Sequence, residues 1–105
     1  MGIFRRSKPG QLRAATDEDR AHLEQFVATR QGVEGFVEPR TVVTETTMVL
    51  VARDGEWTRR RVAGPKAAFE MCNKLGIPVY DAGVVGYPPR MREWTARKAA
   101  EQKRS

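Results

Sequence analysis

The chain has 105 residues, enough for one domain with a single modest core. Hydrophobic residues make up 40% and charged residues 30%, and 19 Lys and Arg outweigh 13 Asp and Glu for a net charge of +6, so much of the chain is solvated, basic surface. No apolar run is long enough to span a membrane, Ile3-Phe4 is too short for a secretory signal, and a lone Cys72 excludes an internal disulfide framework and fits a reducing cytoplasm.

Residues 1–15 are expected to form a basic irregular segment, since Pro9-Gly10 breaks any early helix. Thr16-Asp17-Glu18-Asp19 reads as a helix start, with Thr16 as N-cap, Asp19 reciprocating, and the acids set against the positive end of the helix dipole. Leu23, Phe26 and Val27 recur at helical spacing, which predicts a helix over 17–31 closed near Gly32. A connection punctuated by Gly and Pro follows, through Pro39.

Thr41 to Val62 has the shape of a β-hairpin that turns from apolar to strongly basic at Asp54-Gly55. Asp-Gly between two β-prone runs is a good hairpin signal, because glycine accepts the positive φ of such turns. The arms are expected at 41–53 and 56–63. Met48, Leu50 and Ala52 face one way and Val49 and Val51 the other, so the first arm reads as a central strand covered on both faces. Gly64-Pro65 opens a helix over 65–75, packed through Ala67, Ala68, Met71, Cys72 and Leu75 and closed by Gly76. Residues 77–82 read as a third strand, with Pro78 at its start.

These elements predict an α+β fold: a three-stranded, mainly antiparallel sheet of the hairpin 41–63 plus strand 77–82, in the order second arm, first arm, third strand. Val84 to Tyr87 is a short strand or loop, ended by Pro88-Pro89, and a basic helix follows over 90–103 with Met91 and Trp94 as anchors. The division is a basic N-terminal segment 1–15, a core of 16–88 and a basic C-terminal helix and tail of 89–105.

Positive charge is the main functional signal. Trp57, Arg59 and Arg61 share one strand face, with Arg60 on the other. An indole beside guanidinium groups can stack a base and grip phosphates. Arg90, Arg92, Trp94 and Arg97 repeat the mixture on the last helix. The structural alternative is that Trp57 anchors the hairpin with arginine stems lying over it. Asp81 and Tyr87 mark a possible loop site within 81–89, against the alternative of a turn with a packed tyrosine.

Other chemistry has little support. His22 has no second ligand or nucleophile beside it, Cys72 lies in an apolar helix stripe, and neither phosphate-cradling glycine pattern occurs. No cofactor, metal site or catalytic residue is expected. The start Met1-Gly2-Ile3-Phe4-Arg5-Arg6 offers too little apolar area for membrane anchoring, and Arg6 breaks the myristoylation pattern.

Glu38 to Thr47, Gly55 to Val62, Lys74 to Asp81 and Val85 to Pro88 together resemble a group of small uncharacterised actinobacterial proteins, over most of the chain. The resemblance implies a bacterial cytoplasmic setting. Members are sometimes labelled "oxidoreductase", but no nucleotide-binding glycine motif, dithiol or metal cluster here supports that label. The expectation is therefore a non-enzymatic module docking on RNA or a ribonucleoprotein. An adaptor in a larger protein complex is the alternative, and a small-molecule binder or enzyme using the 81–89 loop is the third reading.

Overall fold

A computed structural model describes residues 15–42 and 45–104. In chain order these form α1 (Asp17–Thr29), β1 (Glu34–Glu38), β2 (Thr47–Val51), β3 (Trp57–Arg61), α2 (Pro65–Leu75), β4 (Val79–Asp81), α3 (Ala82–Val85) and α4 (Pro89–Arg104). The class is α+β, as expected. The sheet differs from the expected one: it has four strands in the order β3-β2-β1-β4, with β1/β2 and β2/β3 antiparallel and β1/β4 parallel. All but Ala15 of the expected irregular segment 1–15 lies outside the described residues.

The helix starts follow their local chemistry. The Thr16 hydroxyl accepts from the Asp19 amide at 3.1 Å and the Asp19 carboxylate accepts from the Thr16 amide at 2.9 Å, the reciprocal box that the sequence spells. Helix α1 ends at Arg30 rather than Gly32, where the backbone turns extended. Helix α2 opens on Pro65 and closes on Gly76, whose φ of +74° suits a glycine.

The added strand is β1, Glu-Gly-Phe-Val-Glu, within the stretch expected to be a connection. It takes the place beside β2 that sequence reasoning assigned to the third strand; β4 instead pairs with β1, through Gly35–Val79, Phe36–Tyr80 and Val37–Asp81. Glycine is a poor strand former, yet Gly35 fits here because Cys72 Sγ lies only 2.8 Å from where its Cβ would be. The hairpin is real but shorter than expected, and Arg53, Asp54 and Gly55 connect its arms. Val84-Val85 belongs to the single turn of α3.

Strand β2 is central and buried on both faces. Val37, Met48 and Leu50 meet Leu23, Phe26, Ala68 and Cys72, so α1 and α2 cover the same face of the sheet. On the other face Phe36, Val49 and Val51 are covered by Ala82 and Met91, with Trp57 packed alongside. A short turn and the root of α4 thus do the covering there, which leaves most of α4 outside the core. Among the described residues no helix is long and apolar enough to cross a membrane.

Candidate nucleic-acid interface

Strand β3 lies at the sheet's edge, but two of its three arginines are committed internally. Arg59 holds Glu38 with both Nε (2.8 Å) and Nη2 (3.0 Å), and its guanidinium lies 5.4 Å from the Trp57 ring centre. Glu38 also accepts from the hydroxyls of Thr47 (2.6 Å) and Tyr87. Burial works against the Glu38 charge, but Arg59 and the two hydroxyls outweigh it and hold the carboxyl below its usual range. Burial and the Glu38 carboxylate together push the Tyr87 phenol up.

On the opposite face Arg60 reaches Asp19 at 3.5 Å and His22 Nδ1 at 3.3 Å, while His22 Nε2 meets the Thr58 hydroxyl at 2.6 Å. A guanidinium only donates, so Nδ1 is the acceptor and Nε2 carries the proton. Burial lowers the His22 pKa, and Arg60 and Arg30 lower it further against the opposing pull of Asp19. Burial opposes charge on Asp19 as well, but the Thr16 amide and hydroxyl, with Arg61 and Arg60, hold its carboxyl low. This network ties α1 to β3. Arg61 stands apart: its Nε is buried without a hydrogen-bond partner.

Helix α4 is clamped at its root. Arg90 donates to Glu34 at 2.7 Å and to the Ala52 carbonyl at 2.9 Å, and the Trp57 indole donates to the Thr95 hydroxyl at 2.9 Å. Arg97 donates to the Asp54 carbonyl at 2.9 Å. Gly55, at φ +97°, lets the turn approach so closely that a Cβ there would sit 2.1 Å from the Arg90 carbonyl oxygen. From Thr95 to Arg104 every residue is exposed. The helix carries six cations against Glu93 and Glu101, and at 16 residues it is about 24 Å long.

The expected binding residues therefore separate. Arg92 and the distal end of α4 face solvent and the Arg61 Nε has no hydrogen-bond partner, whereas Arg59, Arg60 and Arg90 are in ion pairs. Trp57 is half-buried and bonded to Thr95, so it joins hairpin to helix; Trp94 is half-buried with Lys98 over its ring at 5.6 Å. Asp81 caps α3 through the Gly83 amide at 2.8 Å, and the Tyr87 ring packs 6.0 Å from Phe36. Burial drives the Cys72 thiol up to about 11. No group of three or more His, Cys, Asp or Glu is placed to hold a metal among the described residues.

Two features were missed from sequence: the partners Glu38, Asp19 and Glu34, and a cleft of about 340 Å³ between α1 and α2. The acids sit in stretches visibly acidic in the sequence, yet their pairing needs strand β1 to be placed. The cleft brings Arg20, Arg61 and Lys74 together with Asp17, Glu24 and Glu70, so its charges balance. Comparison with family models, curated proteins and solved structures finds no match to this chain.

Proposed function

We propose that the protein is a non-enzymatic module that docks on RNA, alone or in a ribonucleoprotein, with the outer half of α4 as its main contact. The observation that carries this reading is the exposure of Thr95 to Arg104 on a cationic helix whose root is fixed by Arg90, Met91 and Thr95. Arg92, Lys103 and Arg104 extend toward solvent, with Arg97 and Lys98 in weaker local contacts. A rigid root positions these cations without loss of backbone entropy on binding, while the phosphates supply the counter-charge. The β3 arginines enter this reading as scaffold, because Glu38 and Asp19 already neutralise Arg59 and Arg60. A bacterial cytoplasmic setting accords with a lone buried thiol.

Binding of a labelled single-stranded RNA, titrated with salt, tests the proposal. Three phosphate contacts give a slope of about −2 in log affinity against log salt. Replacing Arg92, Lys103 and Arg104 with Gln is expected to abolish that slope and leave the thermal midpoint unchanged. No affinity at low ionic strength, or affinity untouched by the triple replacement, refutes it.

A further inference from the structure

The outer edge of β3 is an unfilled strand position. In the β2–β3 ladder the Val62 amide bonds the Thr46 carbonyl and the Ala52 amide bonds the Glu56 carbonyl, so bonding alternates through Met48–Arg60 and Leu50–Thr58. By that alternation the N–H and C=O groups of Trp57, Arg59 and Arg61 point away from β2, out of the sheet. No strand pairs with that edge among the described residues. An open concavity of about 410 Å³ is lined by Thr47, Thr58 and Arg59 to Arg61 together with Asp19. Arg61 is part of that lining, and its Nε is buried without a hydrogen-bond partner.

We infer that this edge takes up an acidic, extended peptide segment of a partner protein, which adds a fifth strand beside β3. The backbone supplies the ladder: alternate residues of the incoming strand exchange both bonds with Trp57, Arg59 and Arg61. Residues paired in this way place their side chains on the same face, beside those of Arg59 and Arg61. A carboxylate opposite Arg61 draws the guanidinium outward and so gives its buried Nε the acceptor it lacks. Buried charged donors without acceptors are costly, so that contact selects acid at that position.

Charge also selects against the other occupants. A second copy pairing through its own β3 brings no carboxylate on that strand, so it leaves the Arg61 Nε without an acceptor. RNA offers phosphates to Arg61 but no alternating amide ladder for the three outward residues. The inference does not depend on the role proposed for α4.

The test is amide hydrogen exchange of the full chain, read by NMR, with and without a short capped peptide alternating Glu and Val. Protection of the Trp57, Arg59 and Arg61 amides on binding is the expected result. Arg61→Gln should weaken the peptide about tenfold, the equivalent of one charge-assisted hydrogen bond. A peptide alternating Lys and Val should not bind. Absence of binding overturns the inference, as does binding that leaves the three amides exchanging freely, since that is contact without strand addition. Displacement of the peptide from this edge by RNA, with the same arginines shifted and no amide protected, also overturns it. If Arg61→Gln fails to fold, the amide pattern in the unaltered chain decides alone.

Discussion

Replacing Gly55 by Ala is the sharpest test of how α4 is held. Gly55 closes the hairpin turn at φ +97°, and a Cβ there would lie 2.1 Å from the Arg90 carbonyl oxygen, 2.8 Å from its carbonyl carbon and 2.9 Å from Trp94 Cβ. Two of those atoms are backbone, so no side-chain rotation relieves the clash; the first turn of α4 must move by roughly an ångström to reach van der Waals contact. Moving it strains the Arg90 bonds to Glu34 and Ala52 and the Trp57–Thr95 bond. Positive φ alone disfavours Ala by about 1 kcal/mol, and overpacking adds about 1–3 kcal/mol. Gly76→Ala is the control: it has φ +74° but no atom within 4 Å of its Cβ, so only the backbone component of about 1 kcal/mol applies. Thermal unfolding followed by circular dichroism should lower the midpoint by about 5 °C for Gly76→Ala and by about 10–20 °C for Gly55→Ala. Tryptophan fluorescence should change in the folded state of the second variant only. Equal losses in the two variants would refute the claim that the turn seats the helix.

Other outcomes follow from the same geometry. Gly35→Ala should destabilise by about 1–3 kcal/mol by overpacking against Cys72 Sγ; in the double variant with Cys72→Ala the combined loss, measured by urea unfolding, should be smaller than the sum of the two. Glu38→Ala leaves Arg59 without its carboxylate and should lower stability by about 1 kcal/mol, a value reduced because Arg59 is 44% exposed, while strengthening RNA binding at low salt. Acid should destabilise the fold in two steps. The depressed His22 pKa means that the unfolded chain takes up the proton first, so stability conferred above pH 6.5 is lost as pH falls from that value toward the lower folded pKa. Asp19 and Glu38 are also depressed, so their contribution is present above the ordinary carboxylate range and lost as pH falls through their folded values. Urea midpoints against pH should show both steps, and His22→Gln should flatten the first; an unchanged slope there would contradict the assigned environment.

The strong local signals of the sequence carried through to the structure. Thr16 and Asp19 form their box, Pro65 and Gly76 bound α2, and the two-faced apolar pattern of 48–52 is the central strand. Strand β1 was hidden for a physical reason: Gly35 weakens its β signal, and the strand is stabilised by Cys72 packing against the bare backbone and by pairing with β2 and β4. Those are tertiary effects with no local trace. Without β1 in place Glu38 has no position, so Arg59 reads as a free cation. The candidate site was legible as a charge pattern, but the cancellation of that charge was not, because it joins Arg59 to Glu38, 21 residues away, and Arg60 to Asp19, far earlier in the chain.

The arginine triplet shows how one run of identical side chains is divided by a strand. Alternation sends Arg59 to the face of Glu38 and Arg60 to the face of Asp19 and His22, so one neutralises a half-buried acid and the other a buried one. Such acids would be expensive alone, and the pairs fix the positions of β1 and α1 against the hairpin. With two arginines of β3 committed to the scaffold, α4 holds six of the cations among the described residues. Arg61, last in the run, acts on Asp19 through its charge, but its Nε is buried without a hydrogen-bond partner. Among the described residues two separate cationic features stand out: an exposed basic helix, proposed to meet a phosphate backbone, and a strand edge that ends at Arg61, whose Nε lacks an acceptor. Separation of the two is what allows each to be removed by substitution without disturbing the other.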